Sequence, residues 1–235
     1  MVDMNPISEQ SWLGQQNDAL VDAGNGHRLH RDVISPFLAM QDAAQKDGID
    51  LQLVSSFRDF DRQTAIFNRK WTGQAQLLDI KGDELSYEAL SDNEKLHAIL
   101  TWSALPGGSR HHWGTDIDVY DRAAVRNWGG KFNLVESEYI KGGPCHTLSC
   151  WLTDNMETFG FYRPFSVNTG GVAVEPWHLS FENTARVFEN ARNLDGFTKA
   201  IEQSDIEGKT CILPQLPTLY NRYVLNKGHE PTEFI

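Results

Sequence analysis

The sequence predicts one domain of the α+β class. Segments with helical periodicity are interspersed with segments of strand character, and long irregular connections join them. This order lacks the regular alternation of strand and helix that is typical of a doubly wound parallel sheet. A chain of 235 residues can bury the core of one domain, and its 23% charged and 40% hydrophobic residues are typical of a globular protein.

The first predicted elements are two helices on either side of a strand. Apolar residues recur at helical spacing from about residue 31 to residue 47, and Gly48 follows as a stop signal. The segment "IDLQLVSSFR" alternates apolar and polar residues, as a half-buried strand does. "DRQTAIFNRKW" reads as the second helix, so Arg58 lies just beyond the end of the strand.

The middle of the chain combines an insertion, a helix and a strand. The polar, glycine-containing stretch from about residue 72 to residue 90 predicts a surface insertion. Ser91 and Glu94 form a capping-box pattern at the start of a helix through "EKLHAILTWSAL". The chain then turns at "PGGS", and "IDVYD" has the composition of a strand.

The last third of the chain is predicted to be mostly helical. "CWLTDNMETFG" has helical spacing with Gly160 as its stop, and "GGVAVEPWHLSF" alternates like a strand. "ENTARVFENARNLDGFTKAIEQ" is helical, and a proline-interrupted tail follows it. We expect an N-terminal segment at 1–27, a main domain at 28–185 and a C-terminal helical extension at 186–235 packed on the same domain.

Charge and composition restrict the partners and the compartment. Twenty-one Lys and Arg against 32 Asp and Glu give a net charge of −11 without a basic run, which argues against nucleic acid and anionic membranes. Neither a leader-like apolar run nor a membrane-spanning stretch is visible, so we expect a cytoplasmic protein, or a periplasmic one if a leader was removed. Three cysteines are too few for a disulfide framework, although Cys145 and Cys150 could pair after export.

Most of the titratable chemistry lies in "SRHHWGTDIDVYD", residues 109–121. A turn at Gly114 can bring His111 back toward an aspartate on the following strand. Asp116 and Asp118 project to the same face of such a strand, so either carboxylate could face the histidine. The spacing alone leaves this choice open.

A third metal ligand is offered by "EPWH", which holds Glu175 and His178. A catalytic zinc site takes three protein ligands and leaves a fourth position for water. The segment contains a proline and has strand character, so it is not a helical H-E-x-x-H arrangement. A histidine ligand with a nearby glutamate is the pairing in which a metal lowers the pKa of water to about 7 and the carboxylate takes the proton.

Three separated motifs within about residues 50–181 carry a resemblance to a known family. The family pattern S-x-H-x-x-G-x-A-x-D falls on Ser109, His111, Gly114 and Asp118. The pattern E-x-W-H falls on Glu175, Trp177 and His178. The pattern S-x-x-R with a following glutamine falls on Ser55, Arg58 and Gln63. The chain resembles the zinc D-alanyl-D-alanine carboxypeptidases, the VanY-like group that shares a fold with lysostaphin-type endopeptidases and the hedgehog signalling domain. The resemblance implies a small central antiparallel sheet flanked by helices, with 28–185 as the catalytic domain.

The resemblance also implies roles for individual residues. His111, Asp118 and His178 would bind one zinc ion per chain, and Glu175 would be the general base. Arg58 would lie near the scissile carbonyl or a substrate carboxylate. Further substrate contacts would come from Ser109, Gln63 and Trp177.

Asp116 departs from the family pattern, which usually has alanine or another small residue at this position. A carboxylate on this face could orient a ligand histidine through a hydrogen bond. It could also compete as a metal ligand or contact the substrate. The sequence leaves these three alternatives open.

The implied activity is release of a C-terminal D-alanine from a peptidoglycan-derived peptide. A pentapeptide substrate would make the enzyme a D,D-carboxypeptidase and a tetrapeptide substrate an L,D-carboxypeptidase, and the sequence does not separate the two. The alternatives are a non-catalytic zinc-containing binding module and an endopeptidase of peptidoglycan cross-bridges. The oligomeric state is not indicated.

The remaining histidines, tryptophans and cysteines have structural interpretations. His112 is expected to be a packing or surface residue because its neighbour fills the ligand role. Trp113 and Trp177 are expected in the core or in a pocket wall. A structural zinc site in "CHTLSC" is disfavoured because it offers three candidate ligands at an unusual spacing. Surface or core positions are expected for His27, His30, His97 and His229.

Overall fold

The computed structural model describes residues 7–228 of the chain, so His229 lies outside the described residues. The strands in chain order are β1 (Leu20–Gly24), β2 (His27–His30), β3 (Leu51–Ser55), β4 (Asp116–Asp121), β5 (Phe161–Tyr162) and β6 (His178–Phe181). β1 and β2 form an antiparallel hairpin, and the other four form an antiparallel sheet of order β3-β4-β6-β5. A small antiparallel sheet among helices confirms the predicted α+β class.

Helices make up most of the remaining regular structure. In chain order they are α1 (Glu9–Trp12), α2 (Arg31–Lys46), α3 (Phe60–Trp71), α4 (Asp92–Trp102), α5 (Arg122–Trp128), α6 (His146–Asn155), α7 (Glu182–Ala191), α8 (Leu194–Gln203), α9 (Lys209–Ile212) and α10 (Leu216–Leu219). The helices predicted from the apolar periodicity around α2 and α3 are confirmed. Across residues 7–228, no helix combines the length and the apolar character needed to cross a bilayer.

Polar caps fix where the helices beside the site begin. The Asp59 side chain accepts a hydrogen bond from the backbone N–H of Arg62 at 2.7 Å and starts α3 immediately after Arg58. Ser91 and Glu94 form the predicted capping box at the start of α4, with both reciprocal bonds present. These caps set the ends of two helices that form walls of one cleft.

The sheet packs one face against α2 and α6 and leaves the other face for polar side chains. In β4, Ile117 and Val119 are fully buried within an apolar cluster that includes Leu51, Leu179 and residues of both helices. Because successive side chains of a strand point to opposite faces, Asp116 and Asp118 point away from this cluster. The apolar residues of β4 therefore determine the direction of its aspartates.

A second core is formed by helices from both ends of the chain. Residues of α1, α3 and α4 pack against residues of α7, α8, α9 and α10. The predicted long helix beyond residue 182 is interrupted, because Asn193 caps α8 by accepting a hydrogen bond from Gly196 N–H at 2.8 Å. The predicted tail is folded as far as it is described, with Ile212 and Leu219 fully buried.

Two predicted segments differ from the structure. The stretch at 72–90 is not only a surface insertion, since Leu77 is buried in the helical core and the Asp79 carbonyl accepts a hydrogen bond from Trp102 Nε1 at 2.8 Å. In "GGVAVEPWHLSF", the strand begins only at His178. Pro176 has no N–H to donate to a strand partner, and the chain turns there, with His178 N–H donating to the Glu175 carbonyl at 3.2 Å.

The β1-β2 hairpin spans the predicted boundary between the N-terminal segment at 1–27 and the main domain at 28–185. Its turn contains Asn25, which has a φ of 53°, and Gly26, which has a φ of 79°. Asn-Gly is the commonest sequence signal for a tight hairpin. The hairpin packs beside the turn that precedes β4, where the backbone N–H of His30 donates to the Gly114 carbonyl at 2.9 Å.

Candidate metal centre

The candidate centre forms where two turns deliver side chains to the polar face of the sheet. His111 lies on a single 3-10 turn, Arg110–Trp113, and Gly114 ends this turn with a φ of 70°. A Cβ atom at Gly114 would lie 2.8 Å from the His30 backbone nitrogen, so both the conformation and the space require glycine. Asp118 on β4 pairs directly with His178 on β6, which places their side chains together.

The three side chains converge on one point. His111 Nε2 lies 3.2 Å from Asp118 Oδ2, and His178 Nδ1 lies 3.2 Å from Asp118 Oδ1. One possible ligand atom from each residue lies within 4.8 Å of the other two, and all three residues are buried. Two imidazole nitrogens and one carboxylate oxygen match the ligand types that zinc prefers.

Asp118 shows that this point suits a cation. Among residues 7–228, its Oδ1 atom is buried without a hydrogen-bond partner, although His178 Nδ1 is nearby. Burial alone would raise the pKa of Asp118, but the interactions with His111 and His178 outweigh burial and hold this pKa well below its usual range. A charged, unsatisfied carboxylate beside two imidazole nitrogens fits the donor set of a divalent metal.

Asp116 determines which nitrogen of each histidine faces the site. Its backbone carbonyl lies 3.2 Å from His111 Nδ1, and its Oδ1 atom lies 2.9 Å from His178 Nε2. His111 therefore presents Nε2, and His178 presents Nδ1, toward Asp118. Such carbonyl and carboxylate partners commonly orient histidines that bind metal. Of the two aspartates that the spacing could not separate, Asp118 faces the site and Asp116 lies behind it.

Both carboxylate oxygens of Asp116 are used inside the protein. Oδ1 also accepts from Arg110 Nε at 2.6 Å, and Oδ2 accepts from Thr115 Oγ1 at 2.7 Å and Ser180 Oγ at 3.1 Å. The residue is 0% exposed, and its interactions with Arg110 and His178 outweigh the effect of burial and lower its pKa. Asp116 is thus held as an anion and does not line the cleft.

Arg110 extends this network to α7. Its Nη1 donates to Glu189 Oε1 at 2.6 Å, and its Nη2 donates to Tyr162 Oη at 2.9 Å. Burial alone would lower the pKa of Arg110, but Asp116 and the other partners raise it above its ordinary value. The predicted site residues do not include Arg110 or Glu189. The sequence signal that could have identified Arg110 is its place in the same motif as the unusual Asp116.

Glu175 lies next to the candidate centre and faces the cleft. The turn at Pro176 brings its Oε2 atom to 3.2 Å from His178 Nδ1. Its backbone N–H donates to the Phe165 carbonyl at 3.0 Å, which fixes the turn, and the residue is 8% exposed. A carboxylate in this position can exchange a proton with a water molecule at the site.

Arg58 is held near the centre by its side chain and by its backbone. Its Nη1 donates to Gln63 Oε1 at 3.1 Å, and Gln63 Nε2 donates in turn to the Ala104 carbonyl at 2.7 Å. The backbone N–H of Arg58 donates to the His111 carbonyl at 3.1 Å. Burial lowers the pKa of Arg58, and the nearby charge of Asp118 opposes this effect. The Arg58 side chain still carries its charge, because a guanidinium remains protonated in proteins.

His112 packs behind Arg58, within the buried part of the structure. Its Nδ1 donates to the Arg58 carbonyl at 2.6 Å, and its Nε2 accepts from the backbone N–H of Gly107 at 2.9 Å. Burial lowers the pKa of His112 to about 3, so the ring is neutral at physiological pH. As expected for a packing residue, both ring nitrogens are occupied inside the protein.

A cleft of about 410 Å³ opens onto the candidate centre. This volume lies within the usual range for small-ligand sites. Ser109 and Trp177 line it, and Trp177 stacks on Trp102 with ring centroids 6.4 Å apart. Gln63 is 0% exposed and reaches the cleft only through its bond to Arg58. The apolar part of the lining includes Ile66, Leu78, Leu100, Leu105, Leu134 and Val172.

The other described histidines and the cysteines are not part of the candidate metal-binding cluster. His27 and His97 have ring nitrogens within hydrogen-bonding distance of Ser56 Oγ and Tyr223 Oη, and His30 caps α2. The three cysteines are free, with Cys145 buried and Cys150 exposed. Within the described part of the chain, the segment "CHTLSC" does not form a metal-binding cluster.

Comparison with known proteins identifies relatives. The family model described as VanY: D-alanyl-D-alanine carboxypeptidase matches residues 26–184. An uncharacterized protein of Haemophilus influenzae is 43% identical over 103 residues, covering 42% of this chain and 70% of the relative. A D-alanyl-D-alanine carboxypeptidase of Enterococcus faecalis is 27% identical over 181 residues, covering 74% of this chain and 56% of the relative.

Solved structures show the same fold. A D,D-pentapeptidase VanY from a VanB-type vancomycin resistance cassette, in complex with Zn(II), matches with a TM-score of 0.53 and 23% identity over 79% of this chain and 89% of that chain. The LD-carboxypeptidase LdcB matches with a TM-score of 0.51 and 23% identity over 79% and 80% of the two chains. Because the family model covers more than half of the sequence, the chain belongs to the VanY D-alanyl-D-alanine carboxypeptidase family.

Proposed function

We propose that this carboxypeptidase hydrolyses the bond before a C-terminal D-alanine of peptidoglycan stem peptides, using one zinc ion per chain. The observation that carries the proposal is the convergence of His111, Asp118 and His178 beside Glu175 in an open cleft. Family membership and the zinc complex of a structural relative support it. Glu175 and Arg58 both lie at the site. Hydrolysis uses a base and a positive group there, whereas a binding module needs neither.

The metal would be held by His111 Nε2, His178 Nδ1 and the Asp118 carboxylate. Each of these atoms already faces the common point, and the histidine rings are fixed from behind by Asp116. When bound, zinc would supply Lewis-acid activation of water and of the scissile carbonyl. Three protein ligands also leave room in the coordination shell, as is usual for catalytic zinc.

Glu175 would act as the general base and then as the general acid. Its carboxylate takes a proton from a water molecule while the water oxygen forms a bond to the scissile carbonyl carbon. When the carbon–nitrogen bond breaks, Glu175 returns the proton to the leaving amine of D-alanine. The carboxylate's place beside His178, at the edge of the cleft, supports this role.

Arg58 would stabilise the negative charge that develops on the carbonyl oxygen. Its guanidinium is held in the cleft by Gln63 and by contacts of its backbone with the turn that carries His111. A positive group fixed before the reaction needs little rearrangement as the charge appears. In this scheme Gln63 and Asp116 act by positioning Arg58 and His178, whereas Ser109 and Trp177 contact the substrate.

The direct test is a mass-detected release assay with the purified, zinc-loaded protein. Tetrapeptide and pentapeptide stems are incubated separately, with Glu175→Gln as the matched inactive control and metal content measured on the same samples. D-Alanine release from the pentapeptide assigns D,D-specificity, and release from the tetrapeptide assigns L,D-specificity. Zinc-loaded protein that releases D-alanine from neither stem would overturn the proposal. Products from cross-linked wall material without a free carboxylate would indicate an endopeptidase instead.

A further inference from the structure

The α3 wall of the cleft presents cations that the proposed reaction does not use. Arg62, Ile66 and Lys70 recur every four residues on one face of α3, and all three line the cleft. Arg62 is exposed to solvent, whereas Lys70 is partly buried. Lys70 is therefore the more buried of the two cations on this face.

The second feature of this wall is the ammonium group of Lys70. In the part of the chain that the structure describes, its Nζ atom makes no hydrogen bond or ion pair. Burial lowers the pKa of Lys70 to about 8, repulsion from Arg58 adds to this effect, and Glu175 opposes it. Keeping an ammonium group partly desolvated and unpaired is unfavourable, and such groups are typical of binding sites.

The described arginines of this cleft that lie outside α3 have partners inside the protein. Arg110 is paired with Asp116 and Glu189, and Arg58 is hydrogen-bonded to Gln63. The positive charge on the α3 wall contrasts with the net charge of the whole chain, which is −11. The unpaired positive charge of the cleft is thus concentrated on the α3 wall, where an anionic ligand group would find it.

We propose that Lys70 forms an anion subsite that binds a carboxylate of the peptide substrate. The inference rests on the proposed function, because it adds a contact for the same substrate in the same cleft. The ammonium group recovers the interaction that it lacks in the free protein when a carboxylate enters. Arg62, at the open side of the same face, adds to the positive potential.

Lys70 lines the same cleft as Arg58 and Glu175 and interacts electrostatically with both. Lys70 lies eight residues after Arg62, or roughly 12 Å further along the helix axis. Helical side chains lean toward the N-terminus of their helix, so Lys70 extends back toward Arg58. If Arg58 faces the scissile carbonyl, Lys70 meets a group one or two residues away. That group is either the terminal carboxylate or the side-chain carboxylate of a neighbouring residue.

Four peptides distinguish these two sources. Each ends in D-alanyl-D-alanine, with the terminus as free acid or amide, and the preceding residue carries a side-chain carboxylate or the matching carboxamide. Binding is measured by calorimetry to zinc-loaded Glu175→Gln, so that turnover does not interfere. The same titrations are made with the Glu175→Gln/Lys70→Gln double variant.

Lys70→Gln removes a hydrogen bond between charged groups. We therefore expect a loss of about 10-fold or more in the preference for one carboxylate over its neutral analogue. The pair of peptides whose preference collapses identifies the source. Arg69→Gln in the same background is the matched control, because Arg69 carries the same charge on α3 but is exposed and does not line the cleft. Lys70→Arg should retain most of the preference.

Two results would overturn the subsite. One is equal binding of the acids and their neutral analogues by the protein that retains Lys70. The other is an unchanged carboxylate preference in Lys70→Gln with an unchanged melting temperature. Because binding is measured without turnover, a protein that cleaves none of the peptides would contradict the proposed function and leave the binding result interpretable.

Discussion

His178 Nε2 lies 2.9 Å from Asp116 Oδ1, and this contact leaves Nδ1 as the nitrogen that faces Asp118 and Glu175. The same carboxylate oxygen accepts a hydrogen bond from Arg110, which in turn binds Glu189 on α7. Glu189, which lies beyond the matched family region, is thereby connected to the candidate metal ligand His178 through the two ion pairs of Arg110 and the contact of Asp116 with His178. The unusual aspartate and its arginine partner form one unit.

Replacing Asp116 with alanine restores the small residue of the family pattern but should weaken zinc binding. His178 would lose the acceptor that fixes its ring, and Arg110 would lose a partner beside the site. Loss of such an outer partner typically lowers metal affinity by about 10-fold to 100-fold. Competition with a chromophoric chelator measures the zinc dissociation constant.

Thr115→Val is the control for the Asp116 substitution. It removes a hydrogen bond to Asp116 Oδ2 but leaves the bond between Asp116 and His178. We expect a smaller change in zinc affinity than for Asp116→Ala. Equal zinc affinity in native protein and Asp116→Ala would show that Asp116 does not position His178.

Replacing Glu175 with glutamine should separate metal binding from turnover. The amide keeps the shape of the side chain but cannot take a proton, so kcat should fall by about 100-fold to 10,000-fold. The proposed ligands His111, Asp118 and His178 are unchanged, so the zinc content should stay at the native level. Metal analysis and steady-state kinetics on the same preparation check both statements. A variant with near-native kcat would remove Glu175 from the role of base.

Replacing Arg58 with alanine should lower kcat/KM by about 100-fold to 1,000-fold, as expected for loss of a group that stabilises the oxyanion. Zinc content should be largely preserved. Gln63→Leu removes one side-chain acceptor of Arg58 together with the hydrogen bond from Gln63 to the Ala104 carbonyl, and it should give a smaller loss of the same kind. If Arg58→Ala showed unchanged kinetics, the guanidinium would have no place in the reaction.

Glu189 should contribute to folding stability through its contact with Arg110. Its side chain is 15% exposed and accepts at 2.6 Å, and loss of a hydrogen bond between charged groups costs about 1.5–3 kcal/mol. We therefore expect Glu189→Gln to lower the free energy of unfolding in urea by that order. Glu182→Gln on the same helix removes only an exposed pair with Arg186 and should cost less than about 1 kcal/mol. Equal losses in the two variants would contradict the prediction.

The sequence predicts the elements that carry the site better than the connections between them. Apolar periodicity located α2 and α3, and the capping pattern located α4. The choice between Asp116 and Asp118 needed the register of the sheet, because both side chains lie on the same face of β4. In that register, Asp118 is directly opposite His178, whereas Asp116 is opposite Ser180. The lack of a partner for Lys70 could not be predicted, since it depends on side chains from several distant segments.

Local signals also explain two differences between prediction and structure. Asn193 is a helix-capping residue within a segment of continuous helical periodicity, so the break between α7 and α8 had a visible cause. Proline in the last part of the chain suggested a tail. Pro214 and Pro217 instead occupy first turns of short helical segments, where a missing N–H is tolerated. The apolar residues between and after these prolines reach the helical core.

The anion subsite makes a prediction about pH. The charged groups that act on Lys70 are Arg58, which lowers its pKa, and Glu175, which raises it, and the pKa of the free protein's Lys70 is about 8. Arg62, on the same helix face, also lines the cleft and carries a positive charge. A carboxylate binds the protonated form of Lys70. The titrations use the Glu175→Gln background, which lacks the raising effect of Glu175, so the affinity ratio of the acid peptide to its neutral analogue should already fall as pH rises toward about 8. The ratio cancels effects of pH that both peptides share.

Lys70→Arg provides the comparison for this pH dependence. A guanidinium stays protonated throughout the range, so the variant should keep a nearly constant ratio up to pH values at which the native ratio has fallen. Above the pKa, the native ratio should decline by up to about 10-fold per pH unit until the preference is lost. Calorimetric titrations of Glu175→Gln, with native Lys70, and of Glu175→Gln/Lys70→Arg with both peptides at several pH values give the two profiles. Superimposable profiles would show that protonation of Lys70 does not control carboxylate binding.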